Sequence, residues 1–222
     1  MRTLILIRHG EVANPNHVVY ADLPGFDLSP LGVLEAHAVG RHLDTVPIDV
    51  VVSSPLPRAR HTAAAIAAHH GLEVCPDVRL TEARMYPGWT GLRWVEVDEM
   101  HHEQLTGYLR NAAALDDVVE SIHTIAERMV RAVYDSFGAR QRVVAMVGHQ
   151  DPIQAVRLKL LGRPLSELRR NPPGHASATT LLSTGSDSWV ETSLWEPSAC
   201  TGRSEGIEDR YTPTTEIEER LG

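Results

Sequence analysis

Three aliphatic runs constrain this chain more than anything else in it: Leu4–Ile7, Val50–Val52 and Val143–Val147. Each is nearly continuous rather than alternating. That is the pattern of a strand buried on both faces, as in a parallel sheet covered by helices. A helical pattern follows each run. Ser29-Pro30 opens one helix, with serine as N-cap and proline in the first helical position, running to about Leu43. Ser54-Pro55 opens a second, to about His70, and places Pro57 in a first turn that has no use for its missing N–H. Asp151-Pro152 opens a third, ended by Gly162, and a longer helix fits Asp116 to Phe137. Two later strands fit Ala178–Ser183 and Trp189–Trp195, joined by a Gly-Ser-Asp turn. Strands alternating with helices predict an α/β fold: a three-layer α/β/α sandwich with a mostly parallel central sheet and a small cap insertion.

A chain of 222 residues suits one such domain. We assign it to residues 1–195, with the less regular stretch 84–115 as a cap or lid. Residues 196–222 are polar and poor in aromatics, the composition of a mobile tail. The formal charge of −8 argues against a nucleic-acid surface, which needs basic patches. It also requires that an anionic substrate be drawn by a local cationic site against the global field. The two cysteines, Cys75 and Cys200, are far apart and form no C-x-x-C, so a zinc ribbon is not expected and a reducing cytoplasm is. The apolar core of the N-terminal stretch is too short for a signal peptide or a membrane span, and no other window reaches membrane length.

Ligands of open α/β sheets bind outside the carboxyl ends of the strands. The first run ends on Arg8-His9 and the second on Ser53-Ser54, with Arg58 in the next helical turn. The third ends on Gly148-His149, and a fourth segment, Val78–Thr81, ends on Glu82. Parallel strands would bring these ends together as two guanidiniums, two imidazoles and one or two carboxylates. Helix N-termini would add N–H donors for an anion. Arginine binds phosphate oxygens as a rigid fork. A neutral histidine can attack phosphorus. A carboxylic acid can protonate a leaving alcohol and then take a proton from water. This set suits phosphoryl transfer without a metal. Arg58 is informative, since a cation in a first helical turn opposes the macrodipole and needs an anion to justify it. Gly10 would let the backbone approach that anion closely.

The same residues carry a family resemblance. Arg8-His9-Gly10-Glu11 is similar to the R-H-G signature of the histidine phosphatase superfamily, the phosphoglycerate-mutase-like fold. The segment from Ser53 to Ala63 resembles its S-S-x-L-x-R-A-x-x-T-A stretch. Leu80-Thr81-Glu82 with Gly88–Leu92 resembles its L-x-E…G-x-W-x-G region, and Val147-Gly148-His149 resembles the segment of its second histidine. Leu28–Gly32 resembles its L-[ST]-x-x-G helix start. The resemblance covers roughly residues 3–195. It implies that His9 is the phosphorylated nucleophile, that Arg8, Arg58 and His149 bind the phosphate, that Glu82 is the proton donor, and that neither cofactor nor metal is needed. The sequence departs from the pattern after Glu11, where Val12 replaces the common threonine and Pro15 stands between Asn14 and Asn16 in place of the usual asparagine. The Gly-Trp block arrives about one residue late after Glu82.

The short segment from Glu82 to His149 favours hydrolysis over the mutase reaction. The expectation is a metal-independent phosphomonoester hydrolase acting on a small phosphorylated metabolite, with no nucleic-acid or membrane partner and an unreadable oligomeric state. The alternatives are a phosphoglycerate-type phosphomutase, a phospho-ligand-binding module with little turnover, and a metallohydrolase built on the His69-His70 and His101-His102 pairs. Glu11, Asn14, Arg84 and His175 are further candidates for supporting the phosphate site or touching the substrate. Arg84, Arg93 and Arg60 are candidates for a second anionic group. Asp151 is assigned as a helix N-cap, and the tryptophans as packing.

Overall fold

The structure is a computed structural model that describes residues 1–84, 86–185 and 188–198. A six-stranded sheet is built from β1 (Thr3–Arg8), β2 (Val50–Ser53), β3 (Val74–Pro76), β4 (Val143–Gly148), β5 (Ala178–Ser183) and β6 (Trp189–Trp195). The strand order is β3-β2-β4-β1-β5-β6. The first four strands in that order pair in parallel, and β5 and β6 add an antiparallel edge.

The continuous aliphatic runs split by parity. Leu4, Leu6, Val144 and Met146 face one buried core, with Ile125 and Met129 of α4 (Ile122–Ser136) and Ile153 and Val156 of α5 (Gln150–Leu160). Ile5, Ile7, Ala145 and Val147 face the other, with Val39 and Leu43 of α1 (Pro30–Leu43) and Ala63 and Ile66 of α2 (Pro57–His70). Alternate side chains point to opposite sheet faces, so a strand covered by helices on both sides must be apolar throughout. The three-layer sandwich follows.

Several element bounds differ from the sequence expectation, each for a local reason. The second helix starts at Pro57, not at Ser54, because Leu56 precedes a proline and is held extended (φ −69, ψ 141). The fourth helix starts after Ser121, whose hydroxyl accepts the Thr124 N–H at 3.1 Å, so residues 116–120 stay outside it. The segment ending on Glu82 is not a strand. Val78–Leu80 is a single 3₁₀ turn, capped by Asp77 accepting the Arg79 N–H, and the strand lies upstream as β3. Asp151 is not an N-cap: that position falls on His149, and Asp151 sits inside the first turn of α5.

Within 84–115, α3 (Trp94–Asn111) is a single assigned helix broken at His101 (φ −135, ψ 33). Trp89, Val97 and Leu105 form a small third cluster apart from the two sheet cores. Of the expected tail, residues 199–222, Cys200 among them, lie outside the described residues.

Candidate active site

Strand register builds the site. β1 and β4 are parallel with Arg8 opposite Gly148, so the next residues, His9 and His149, emerge side by side. Their rings meet edge-on with centroids 5.0 Å apart. β2 lies on the other side of β4, and Ser54, just past its end, places its hydroxyl 2.8 Å from His149 Nε2. Arg58 then enters from the first turn of α2, 0% exposed.

The His9 Nδ1 lies 2.7 Å from the Gly10 carbonyl oxygen. A carbonyl only accepts, so Nδ1 carries the ring proton and Nε2 keeps a lone pair. Burial, then the positive surroundings of His149, Arg58, Arg8 and His175, hold His9 well below the ordinary histidine pKa. His149 is lowered well below it too, by burial first and then by Arg58, Arg8 and Arg128. Both rings are therefore neutral near pH 7.

Arg8 is held on one side only. Its Nη1 donates to Gln150 Oε1 (2.8 Å) and the Pro173 carbonyl (3.0 Å), and its Nη2 lies 2.7 Å from His175 Nε2. Since a guanidinium only donates, that His175 nitrogen is the acceptor. Arg58 Nη2 donates to the Ala21 carbonyl at 2.5 Å, and the guanidinium packs 4.8 Å from the Tyr20 ring centre. The remaining atoms, Arg8 Nε, Arg58 Nε and Nη1, and His149 Nδ1, are buried without a hydrogen-bond partner. Native proteins rarely leave such groups unmatched, and each costs about 1–3 kcal/mol. Arg8, Arg58 and His149 all lie near enough to His9 to lower its pKa, and their unmatched nitrogens would suit a tetrahedral oxyanion.

Glu82 reaches the cavity from beyond the 3₁₀ turn, with Oε1 accepting the Ala83 N–H at 2.8 Å. Burial raises its pKa above the usual glutamate value, against the pull of that N–H and of Arg58 and Arg8. A carboxyl so placed holds its proton longer than a surface glutamate, as a general acid requires.

The other expected residues fall into place differently. Gly10 is not shaped for an anion: a Cβ there would stand 2.5 Å from the Gly32 carbonyl oxygen of α1, so the close approach is backbone to backbone. Its N–H donates to Thr62 Oγ1 (3.1 Å), and the Thr62 hydroxyl donates to the Arg58 carbonyl (2.9 Å). Glu11 accepts the Ser29 hydroxyl at 2.6 Å, and Asn14 closes its own loop through both Val18 backbone groups. Both line the cavity. Arg84 lies at the rim, ion-paired with Asp22. Arg93 pairs with Glu96 instead, and neither it nor the exposed Arg60 lines the cavity. His175 reaches the site itself, 5.9 Å from the His9 ring. Of the histidine pairs, His69 meets Asp44 and His102 meets Asp98 on the surface.

Sequence reasoning missed a buried group beside Glu82. Asp151 accepts the Tyr108 hydroxyl (2.7 Å) and an Arg169 N–H (2.8 Å), while the Arg169 guanidinium lies 3.9 Å from the Tyr108 ring centre. Burial and the Glu82 charge push the Asp151 carboxyl well up, and burial lowers Arg169 to about 10. The signal available was Asp151 itself, two residues past His149, but its partners lie 43 and 18 residues away. Together these residues border a cavity of about 1000 Å³.

Comparison with known proteins bears on this geometry. A family model described as the histidine phosphatase superfamily (branch 1) matches residues 4–195. An uncharacterized Mycobacterium tuberculosis protein, Rv0525, is 36% identical over 197 residues, 87% of this chain and 96% of its own. Phosphoserine phosphatase 1 of Hydrogenobacter thermophilus is 31% identical over 170 residues, 75% of this chain and 80% of its own. The solved structure of a mycobacterial glucosyl-3-phosphoglycerate phosphatase superposes with a TM-score of 0.76 at 28% identity, covering 89% of this chain and 99% of that one.

Proposed function

This chain belongs to the histidine phosphatase superfamily, and from that premise we propose that it hydrolyses phosphomonoesters through a phosphohistidine on His9. Phosphatase relatives support the activity at the coarser level, and those relatives are named for small phosphorylated metabolites. The observation that carries the finer reading is the set of unmatched buried donors on Arg8, Arg58 and His149 around a His9 ring whose Nε2 is free of its proton.

The proposed sequence runs as follows. The phosphoryl oxygens dock on Arg8, Arg58 and His149, which neutralise the charge spread over the transferring group. His9 Nε2 attacks phosphorus in line, and the bond to the ester oxygen breaks. Glu82 gives its proton to the departing alkoxide. Water then enters, gives a proton to the Glu82 carboxylate and attacks the phosphohistidine. Orthophosphate leaves, His9 is again neutral, and Glu82 is again protonated. Residues 84–115, with α3, would cap the cavity and keep bulk water from the intermediate.

The deciding experiment uses p-nitrophenyl phosphate with EDTA present, comparing wild type with His9→Ala, together with acid-quench trapping of labelled phosphoryl-enzyme. Turnover and trapped label in the wild type, both lost in the variant, are expected. Turnover at the wild-type rate in His9→Ala refutes the mechanism. Bisphosphate-primed isomerisation of phosphoglycerate with negligible hydrolysis would make the chain a mutase instead.

A further inference from the structure

The outer cavity carries information about the alcohol that leaves. Beyond Arg8, its wall is aromatic and aliphatic: Tyr86, Trp94 and Tyr108 with Val18, Leu109 and Val119. The aromatic side is pre-built. Buried Trp89 anchors it, with Tyr86 stacked at 4.5 Å, Tyr108 edge-on at 5.7 Å and Trp94 edge-on at 6.3 Å between ring centres. At about 1000 Å³ the cavity is at the upper end of the range that encloses a drug-sized ligand. Phosphate plus a three-carbon acid would leave most of that wall untouched.

Charge points the same way. Among the described residues, the cavity beyond Arg8 is lined by two arginines and the histidines His17 and His175, against the carboxyl groups of Glu11, Asp22, Glu82 and Asp151. Both arginines are committed: Arg84 to Asp22, and Arg169 to Asp151 at 2.8 Å. Arg169 Nε is buried without a partner. A carboxylate on the substrate would find each arginine already facing an acid, whereas an aromatic face or a branched chain meets surfaces that favour it.

We infer that this cavity selects phosphomonoesters of uncharged, apolar alcohols, aromatic or branched, over those whose alcohol carries a carboxylate. The inference rests on the phosphatase reading for its site, but its subject is the alcohol. The relatives named for phosphoserine and glucosyl-3-phosphoglycerate are named for carboxylate-bearing substrates, so this chain would differ from them.

The test compares kcat/KM for naphthylethyl phosphate, O-phosphoserine and phosphoglycerate, all alkyl esters with similar leaving groups. In parallel, calorimetry compares binding of benzylphosphonate and phosphonoacetate, which cannot be hydrolysed. The apolar member of each set is expected to win by about tenfold or more, the equivalent of roughly 1.4 kcal/mol, about what one well-made aromatic contact supplies. Trp94→Ala should erase most of that ratio and Trp94→Phe should keep it. Val119→Lys, at a site 69% exposed and outside the core, should also erase it, by breaking the apolar wall and offering a carboxylate a cation, without any risk to folding from a lost tryptophan. Equal ratios, a preference for either acid, or a preference that survives both Trp94→Ala and Val119→Lys overturns the inference. Absence of hydrolysis for every ester would instead sink the phosphatase reading, and the phosphonate pair would still decide the preference.

Discussion

Replacing Arg58 by methionine should make the free protein more stable and the enzyme nearly inactive. Arg58 is 0% exposed, and Nε and Nη1 have no partner. No carboxylate among the described residues lies within 4 Å of it to form an ion pair; its contacts are the Ala21 carbonyl and the Tyr20 ring. Burial lowers its pKa, and the nearby Tyr20, Glu82 and Asp22 offset that only in part. Two unmatched buried donors cost about 2–6 kcal/mol together. Against that, the substitution loses one charge-assisted hydrogen bond, about 1.5–3 kcal/mol, and a cation–π contact of about 0.5–2 kcal/mol. It also removes the cost of burying the charge, which is several kcal/mol. Methionine fills a similar volume with an adaptable apolar chain. With the unmatched donors counted as part of that burial cost, the balance favours the variant by about 1–4 kcal/mol, the range for buried ionic groups replaced by well-packed apolar ones, or roughly 2–16 °C in Tm for a chain of this size.

Activity should move the other way. Two hydrogen bonds to the transferring phosphoryl group, at about 1.5–3 kcal/mol each, correspond to a loss of about 10²–10⁴ in kcat/KM. The assay is differential scanning fluorimetry with and without vanadate, alongside kcat/KM. The free Tm should rise, and the stabilisation by vanadate seen in the wild type should shrink or vanish. A Tm that falls, or vanadate protection that persists at the wild-type level, would refute the idea that Arg58 is an unsatisfied charge waiting for an anion.

Other outcomes follow from the same geometry. The free enzyme needs His9 neutral and Glu82 protonated, so kcat/KM should rise with pH through a His9 pKa below 6.5 and fall through a Glu82 pKa above 4.5. A rising limb above pH 6.5 would contradict the His9 assignment. Folding stability should also fall as pH drops below 6.5, because the unfolded chain then binds protons that buried His9 and His149 do not. Glu82→Gln should cut kcat/KM by about 10²–10⁴ for alkyl esters and much less for p-nitrophenyl phosphate, whose leaving group needs no proton; equal losses in kcat/KM would remove Glu82 from the acid role. Gly10→Ala should cost about 1–3 kcal/mol or more in urea unfolding, since the new Cβ meets the Gly32 carbonyl at 2.5 Å, and a silent substitution would argue against that contact. Asp151→Asn should destabilise by about 1–3 kcal/mol by weakening the bonds that Tyr108 and buried Arg169 make to the carboxyl, and unchanged urea unfolding would show that they contribute little.

The sheet was legible because its central strands have no solvent face. Four consecutive buried aliphatics, as in Leu4–Ile7, state that both sides are covered, and no later information is needed. The strand-end residues Arg8, His9 and His149 were legible for the same reason, since parallel register places them together. Helix starts were less so. A serine before a proline and an aspartate before a proline both signal an N-cap, yet Ser54 turns to His149 and Asp151 to Tyr108 and Arg169. Local capping is worth about 1 kcal/mol, and a buried charge pair or a neighbour of the phosphate site outweighs it. Glu82 was assigned to a strand end and arrives instead from a 3₁₀ turn, a difference that no short-range pattern encodes.

What periodicity cannot show is which polar atoms the fold leaves unmatched, and that is where the site's chemistry resides. Arg8 is clamped by Gln150, Pro173 and His175, Arg58 by Ala21 and Tyr20, and His149 by Ser54. Each clamp takes part of the side chain's bonding capacity and fixes the rest in place. The segment that supplies two of the Arg8 partners is bracketed by Asn171 and Ala176, both at positive φ (49° and 50°), and the Ala176 N–H donates to the His9 carbonyl at 3.2 Å. Such backbone is strained for a residue with a side chain and persists only where its surroundings over-determine it. The contacts of Pro173 and His175 with Arg8, and the Ala176 bond to His9, hold the two residues in one geometry before substrate arrives. On the proposed mechanism, the free energy withheld by the unmatched donors would be recovered only when a phosphoryl group is bound, and most fully as its charge spreads in the transition state.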